Sequence, residues 1–291
     1  MTTVRQARPD DHDAVATIAA DTWPDREPED YVPEVFPEWV ASDDESRRTV
    51  VAESDGTVVG VCRGQLLSAD EAWLQGIRVA PDHRGEGHGR ALTEHLVEWA
   101  RDRGTVVARI LVFDWNGPAM GQARAGGFEP VAACRFVRTT AGNEGEWSSD
   151  SVASAAAAWQ YWTGSEARKA MRGLALDADV GWALSELTRE TVAAASPIAL
   201  VGDRTRAATV RLRTRRSEYR ESTVADYAVA AWDGGLAPAL FDAIRADAAR
   251  TGVEETRILV PATPRHVSGA AHARTELGES TLVFAKDLTR R

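Results

Sequence analysis

The residues best suited to chemistry form one glycine-rich turn between a strand-like segment and a helix-like segment. The turn reads Asp-His-Arg-Gly-Glu-Gly-His-Gly-Arg over residues 82–90. Where such a turn opens into a helix, the first backbone N–H groups lack helical partners and the helix dipole adds positive potential. Glycines at 85, 87 and 89 let a phosphate approach the backbone closely, and Arg84 and Arg90 add positive charge. The turn is therefore a predicted phosphate site.

Two common phosphate motifs do not fit this turn. A Walker loop needs Gly-Lys-Ser/Thr, but Gly89 is followed by Arg90 and Ala91. The dinucleotide fingerprint fails as well, because counting from Gly85 places Arg90 at the last glycine position. The acyl-CoA pattern Gln/Arg-x-x-Gly-x-Gly/Ala is matched by Arg84, Gly87 and Gly89. The strand before the turn ends in Val-Ala-Pro.

With this motif the chain resembles the GCN5-related N-acetyltransferase (GNAT) family. Asn116, Ala119 and the Gly-Phe pair at 127–128 also fall at the spacing typical of that family, so the resemblance covers residues 5–137. It implies acetyl-CoA as the acyl donor, with the main chain of Ile77 and Val79 on the pantetheine arm and Asn116 near the thioester. The implied donor-binding residues are Ile77, Arg78, Val79, Arg84, Gly85, Glu86, Gly87, His88, Gly89, Arg90 and Asn116. A glycine-rich turn with a purely structural role is the alternative.

Acetyl transfer also needs a base, an oxyanion donor and an acid for the leaving thiolate. Glu71 is the candidate base, because it begins the strand and shares a face with Trp73 by the period of two; an ordinary exposed carboxylate is the alternative. The resemblance implies the Val79 N–H as oxyanion donor. It also implies a tyrosine seven residues after Asn116, where this chain has Ala123. Another donor or water must then protonate the thiolate.

An aromatic segment precedes the first hairpin, in the region that covers the acceptor in the GNAT family. Trp23, Tyr31, Phe36 and Trp39 form an acceptor wall or anchor a loop on the core, and Trp73 is a further candidate for the substrate site. Nearby carboxylates would attract a cationic amine; they are Asp25, Glu27, Glu29, Asp30 and Glu34. The strand sequence Leu-Gln-Gly-Ile-Arg-Val also resembles histidine N-acetyltransferase-like proteins over a short match.

The hydrophobic pattern predicts the elements that hold these residues. A hairpin is expected over 49–65, a strand over 72–79, an amphipathic helix from Arg90 to Gly104 and a buried strand over 106–113. The order strand, glycine turn, helix, strand recurs over 227–260. The expected fold is α/β with a mixed sheet: a tandem of an N-terminal GNAT domain and a degenerate GNAT-like domain.

The expected domain boundaries are 1–138 for the acetyl-CoA-binding domain, 139–157 for a linker rich in small and polar residues, and 158–291 for the second domain. The second glycine turn reads Trp-Asp-Gly-Gly-Leu over 232–236. It lacks the arginine and the spaced glycines, and Asp233 would repel phosphate. No acetyl-CoA is expected there.

Composition limits the remaining function classes. The chain has 34 Lys plus Arg against 44 Asp plus Glu, a net charge of −10 over 291 residues, which argues against broad nucleic-acid binding. No long apolar run or signal segment is visible, so a cytoplasmic protein without membrane contact is expected. Its two cysteines have no partner at metal-ligand spacing, and no metal is expected. His83 and His88 are expected to be solvent-exposed.

These observations predict an acetyl-CoA-dependent N-acetyltransferase that acts on a primary amine of a small molecule or amino acid, as a monomer or homodimer. Two alternatives remain open. One is a non-catalytic acyl-CoA-binding or regulatory module, suggested by Ala123. The other is an acetyltransferase of protein N-termini or lysines, which needs a groove open to a chain.

Overall fold

The computed structural model describes residues 2–23, 30–142, 151–217 and 222–290. The chain packs as two compact units. The first unit comprises residues 1–112, 116–130 and 284–291, and the second comprises 113–115 and 131–283. The domain boundaries expected from the sequence, at 138 and 158, divide the chain by its repeated element order and not by packing. They stay a prediction. No helix among the described residues is long and apolar enough to cross a membrane.

The first unit alternates strands and helices around one sheet. Its elements are β1 (Thr3–Gln6), α1 (His12–Ala20), α2 (Val32–Ala41), β2 (Arg47–Ser54), β3 (Thr57–Leu66), β4 (Glu71–Val79), α3 (His88–Arg101), β5 (Val107–Phe113) and α4 (Gly117–Ala125). The strand order is β1-β2-β3-β4-β5. All neighbours are antiparallel except β4 and β5, which run parallel and are joined through α3. The predicted hairpin, central strand, helix and following strand are all present.

The second unit is a mixed sheet with helices and a small separate hairpin. Its elements are β6 (Glu129–Thr140), β7 (Ser151–Val152), α5 (Ala155–Gly164), α6 (Glu166–Met171), β8 (Leu174–Leu176), β9 (Leu184–Glu186), α7 (Arg189–Ala194), β10 (Ser196–Val201), β11 (Thr205–Arg216), β12 (Thr223–Tyr227), β13 (Ala231–Trp232), α8 (Ala237–Arg250), β14 (Glu255–Pro261), α9 (Pro264–His272) and β15 (Glu276–Asp287). The sheet order is β15-β6-β14-β12-β11-β10-β7, with β13 on β11, while β8 pairs with β9.

Each unit contains one parallel strand pair joined by a 14-residue helix: β4-α3-β5 in the first and β12-α8-β14 in the second. The repeated element order read from the sequence is therefore present. The predicted linker 139–157 is only partly irregular, because it overlaps the end of β6, all of β7 and the start of α5. Its residues 143–150 lie outside the described part of the chain.

Strand β4 is irregular where it passes the centre of its sheet. Its register with β3 shifts between Val61/Arg78 and Arg63/Gln75, so β4 carries one extra residue there, a β-bulge. Gly76 within the bulge has φ +67°. The parallel register with β5 covers only Glu71, Ala72 and Trp73 of β4. Beyond Trp73, the β5-facing edge of β4 lies outside that pairing.

The aromatic segment before the hairpin contains a helix, α2, which the sequence did not indicate because the segment contains two prolines. Pro33 lies in the first turn, where a missing N–H costs nothing, but Pro37 lies inside the helix. Without an N–H, Pro37 leaves the Pro33 carbonyl, four residues earlier, without its helical donor. The His12 Nε2 atom lies 3.2 Å from that carbonyl oxygen and takes the donor's place.

Candidate functional site

The glycine turn places an open, uncapped helix end after β4. Gly87 is the N-cap of α3 with φ +92°, and Gly85 has φ +83°. The first helical hydrogen bond runs from the Ala91 N–H to the Gly87 carbonyl, so the amides of residues 88–90 precede it. No side chain caps this end, within the described residues. A helix end with unused N–H groups is suited to bind an anion such as a pyrophosphate.

The three glycines of the motif have two different roles. A Cβ atom built on Gly85 or Gly87 would meet nothing within 4 Å, so both positions face open space. A Cβ on Gly89 would lie 2.7–2.8 Å from the side-chain amide of Gln122 in α4. Gly89 therefore lies against the end of the Gln122 side chain, which a larger residue would have to displace, while Gly85 and Gly87 leave room for a ligand.

The charged side chains of the turn are engaged within the turn or its helix. Arg84 donates from Nε to the Val79 carbonyl at 3.3 Å, and Arg90 donates to Glu94 one helical turn later. Neither guanidinium group is committed to a buried partner. Both remain at the entrance to α3, as the predicted donor site requires.

The expectation that His88 is exposed is wrong. Its side chain is only 3% exposed, and its Nδ1 lies 3.0 Å from the Thr2 hydroxyl in the neighbouring β1 region. Its Nε2 lies 3.0 Å from Glu86, whose other neighbour is His83 at 3.3 Å. Hydrogen bonds from His88 and His83 hold the pKa of the Glu86 carboxyl below its usual value. No sequence pattern indicated that Thr2 would reach this ring.

Aromatic residues from the α1–α2 segment gather over the bulge of β4. A Cβ on Gly76 would lie within 3.0 Å of the Trp39 ring, so the indole packs directly on the bulge backbone. Tyr31 meets Trp39 edge-on at 6.1 Å between ring centroids. Trp23 lies over the Arg78 guanidinium, 4.3 Å from its carbon to the ring centroid. The structure thus brings three predicted wall residues to one face of β4.

Arg78 belongs to this aromatic face by its side chain and not to the glycine turn. Its guanidinium forms two hydrogen bonds with Asp30, at 2.5 and 3.0 Å, and both side chains are almost fully buried. The side chain of Arg78 is thus engaged by Asp30. The assignment of Arg78 to the donor site stays a prediction, and its main chain is the part of the residue left for that role. Asp30 was noted in the sequence for its charge, but its partner 48 residues away was not apparent.

Three of the aromatic candidates lie in the core. Trp73 is 1% exposed and Phe36 is fully buried, so neither presents a surface to a ligand, and Trp39 at 7% exposed presents little. Phe36 packs with Val15, Val32 and Val61 in the core under α1 and α2, which is the anchoring alternative. The acidic residues Asp25, Glu27 and Glu29 lie outside the described part of the chain.

Glu71 and Val79, the predicted base and oxyanion donor, lie at opposite ends of β4. Eight residues at about 3.3 Å each separate them by roughly 25 Å, so they cannot act on the same carbonyl group. Glu71 instead accepts a hydrogen bond from Arg109 on β5, and both side chains are mostly buried. This contact gives Glu71 a structural partner at the end of β4 where the two strands pair.

Asn116 and Ala123 lie on the helix after β5. Asn116 is the N-cap of α4, and its Oδ1 accepts a hydrogen bond from the Ala119 N–H at 3.2 Å. The asparagine of the sequence motif therefore caps the helix α4. A contact between Asn116 and the acetyl donor stays a prediction. Ala123 is 4% exposed and apolar, so α4 supplies no acid at that position.

Comparison with known proteins assigns a family to one region of the chain. Residues 12–128 match the Acetyltransferase (GNAT) family. These residues therefore form a GNAT-family domain. It is 34% identical over 87 residues to streptothricin acetyltransferase of Streptomyces lavendulae, which is 30% of this chain and 46% of that protein. It is 35% identical over 75 residues to histidine N-acetyltransferase of Xenopus tropicalis, 25% of this chain and 22% of that protein. The chain thus spans less than half the length of either relative.

Solved structures share the fold over nearly the whole chain. A GCN5-related N-acetyltransferase from Sphaerobacter thermophilus aligns with a TM-score of 0.62 at 17% identity, covering 99% of this chain and 96% of that one. A putative acetyltransferase from Thermoplasma acidophilum aligns with a TM-score of 0.56 at 16% identity, covering 98% and 99%. At these identities the likeness establishes the fold alone. The mixed α/β GNAT fold expected from the sequence is confirmed.

Proposed function

We propose that the protein is an acetyl-CoA-dependent N-acetyltransferase that acts on the primary amine of a small molecule or amino acid. The observation that carries the proposal is the uncapped start of α3 behind two positive-φ glycines with open space around them. A cradle of backbone N–H groups at a helix N-terminus suits the pyrophosphate of acetyl-CoA. The family match over residues 12–128 supports the same donor.

The pantetheine arm would follow the edge of β4 that β5 leaves unpaired. The register between these strands ends at Trp73, while β4 continues to Val79. Main-chain N–H groups of Ile77 and Val79, beyond the bulge, are the proposed donors to the arm and to the thioester oxygen. Backbone donors fixed in a strand stabilise a developing oxyanion without reorganising during the reaction.

The acceptor would bind on the aromatic face of the bulge. There the amine nitrogen attacks the thioester carbon, the C–S bond breaks, and the ammonium proton leaves through water or a base. Trp23 and Tyr31 are half-buried on this face and offer rings that attract a cationic amine, while Trp39 packs beneath them on the bulge. Asp30 balances the charge of Arg78. This face supports a small acceptor. The relative named streptothricin acetyltransferase, after the compound streptothricin, supports the same class of acceptor.

The leaving thiolate would take its proton from water, since the buried Ala123 offers none. A missing general acid reduces a rate by about 10²–10⁴ without abolishing transfer. The same observation favours the second candidate function, a module that binds acyl-CoA and does not catalyse. The proposal also includes a monomer or homodimer in the cytoplasm that binds no nucleic acid, in keeping with the net charge of −10.

The experiment that separates the two candidates measures CoA thiol release from acetyl-CoA with a panel of small amines and amino acids, followed by mass spectrometry of the acceptor. A gain of one acetyl group on an amine, lost in Gly87→Asp and retained in Gly104→Asp, is the expected result. Gly104 is the matched control, because it lies in the turn just after the C-terminal end of the same helix, with φ +88° and equally open surroundings. Acetyl-CoA binding without any turnover would instead identify the non-catalytic module. Transfer to peptide lysines or N-termini alone would contradict the small-molecule assignment.

A further inference from the structure

Three possible metal ligands meet at the glycine turn. The Nδ1 atom of His83 lies 3.3 Å from Oε2 of Glu86, and the Nε2 atom of His88 lies 3.0 Å from the same oxygen. All three atoms lie within 4.8 Å of one another. No metal was expected from the sequence, because that expectation depended on cysteine spacing. The pattern His-x-x-Glu-x-His over 83–88 is the signal that could have indicated this cluster.

The separations of the two histidine nitrogens from the Glu86 oxygen fit a tetrahedral cation. Zinc binds histidine nitrogen and carboxylate oxygen at about 2.0–2.2 Å, so two ligands at the tetrahedral angle lie about 3.3 Å apart. The two separations from the Glu86 oxygen, 3.3 and 3.0 Å, are close to this value. The side chains of His83 and Glu86 are 38% and 53% exposed, so both have room to adjust around an ion.

His88 is already oriented as a metal ligand usually is. Its Nδ1 is held by the Thr2 hydroxyl at 3.0 Å, which turns Nε2 toward Glu86. A second hydrogen bond on the far ring nitrogen fixes the tautomer and the ring orientation of a ligating histidine. The ring is also buried, so it has little rotational freedom to lose when an ion binds.

We infer that His83, Glu86 and His88 form a binding site for a divalent transition metal of the zinc type, with a fourth position open to water or an anion. Two imidazoles and one carboxylate suit zinc and disfavour calcium and magnesium, which prefer oxygen ligands. The open position is typical of sites with three protein ligands. This inference does not rest on the proposed acetyltransferase activity, because the three side chains are placed without reference to any donor.

The test uses the full-length protein after treatment with EDTA and dialysis, in the absence of acetyl-CoA. Cobalt(II) is titrated while the visible ligand-field absorption is recorded, and zinc is then added in competition. The expected result is one cobalt per chain, an intense spectrum of the tetrahedral type and displacement by zinc. Magnesium at the same concentration should leave the spectrum unchanged.

Variants assign the binding to these residues. Glu86→Gln and His83→Asn each remove one exposed ligand and should weaken cobalt binding more than tenfold. Thr2→Val removes only the orienting hydroxyl and should weaken it about 10–100-fold while the spectrum keeps its shape. His95→Gln is the matched control, because His95 is an exposed histidine on the same helix outside the cluster. Far-UV circular dichroism confirms that each variant is folded.

Absence of saturable binding to the wild type would overturn the inference. So would binding that Glu86→Gln leaves unchanged, or that His95→Gln weakens equally, since either result would show adventitious coordination by surface histidines. A second titration with acetyl-CoA present does rest on the proposed function. A cation that neutralises Glu86 beside the donor turn should tighten acetyl-CoA binding, and linkage requires an equal effect in the other direction. Failure of this arm alone would leave the metal site intact.

Discussion

Replacing Gly76 by alanine should destabilise the first unit through two separable effects at the β4 bulge. The backbone at Gly76 has φ +67°, and holding alanine there costs about 1–2 kcal/mol. The new Cβ would lie within 3.0 Å of two carbons of the Trp39 ring, closer than van der Waals contact allows. Overpacking of this kind costs about 1–3 kcal/mol. The free energy of unfolding should therefore fall by about 2–5 kcal/mol in total.

A matched variant isolates the contact with Trp39. Gly87 has φ +92°, and a Cβ placed there would meet no atom within 4 Å, so Gly87→Ala should lose only about 1–2 kcal/mol. The double variant Gly76→Ala/Trp39→Leu should be less destabilised than the sum of its two single variants. The difference, about 1–3 kcal/mol, measures the clash itself.

Urea unfolding followed by tryptophan fluorescence and by far-UV circular dichroism gives these free energies. Coincident transitions are required before the values are compared, because a chain of two units need not unfold in one step. A loss of stability in Gly76→Ala no larger than that in Gly87→Ala, or strict additivity in the double variant, would refute the reasoning. Either result would mean that Trp39 does not rest on the bulge.

Three other changes test the buried charges of the two units. Asp226 is fully buried and bonded by three arginine side chains of its own unit, so Asp226→Asn should lose about 3–5 kcal/mol in urea unfolding, and an unchanged midpoint would contradict the network. Burial, with Arg265 nearby, lowers the pKa of His266 to about 4. As the pH falls from about 6.5 to 4, this histidine therefore binds a proton in the unfolded chain but not in the folded one. The free energy of unfolding should fall by about 2 kcal/mol over that window, after allowance for solvent screening. His266→Gln should flatten the plot of unfolding free energy against pH. Glu71→Gln should lose about 1–3 kcal/mol through its contact with Arg109 and leave the pH profile of kcat unchanged; loss of the acidic limb of that profile, together with a large fall in kcat, would restore Glu71 as the base.

In the network around Asp226, burial and the neighbouring arginines shift the pKa of the carboxyl in opposite directions. Burial alone would raise the pKa of this carboxyl, but Arg257 and Arg215 hold it below its usual value. Arg257 is itself almost fully buried between the rings of Phe136 and Trp182, each 5.1 Å from its guanidinium carbon. Removal of the carboxylate would leave these cations without their counter-charge, which is why the expected loss is large.

The elements around the donor turn could be predicted because their signals are local. An amphipathic helical spacing predicts α3, and a nearly uninterrupted apolar run predicts β5. The glycines with Arg84 mark the turn within nine residues. The second unit has a comparable helix, α8, but Pro238 near its start removes one backbone N–H and Asp233 accepts from the Tyr161 hydroxyl. The prediction that this second turn binds no acetyl-CoA stays untested.

The features that sequence reasoning missed all depend on distant partners. The pairs Arg78–Asp30 and His88–Thr2 join residues 48 and 86 positions apart, and no periodicity reveals such contacts. The helix α2 was hidden because its internal proline needs His12 from another helix to satisfy the freed carbonyl. Glu71 was proposed as base from its face on β4 alone; its distance along the strand from Val79, and its partner Arg109, required the structure.

The most direct test of acetyl-CoA binding at the glycine turn is thermal unfolding with and without acetyl-CoA for the wild type, Gly87→Asp and Gly104→Asp. A ligand that binds only the folded state stabilises it by about 2.7 kcal/mol at one hundred times its Kd. Both variants add one carboxylate at a positive-φ glycine with open surroundings, at opposite ends of α3. Acetyl-CoA is expected to raise the Tm of the wild type and of Gly104→Asp but not of Gly87→Asp. No shift in the wild type, or an equal shift in all three proteins, would contradict the assignment of the donor to this turn.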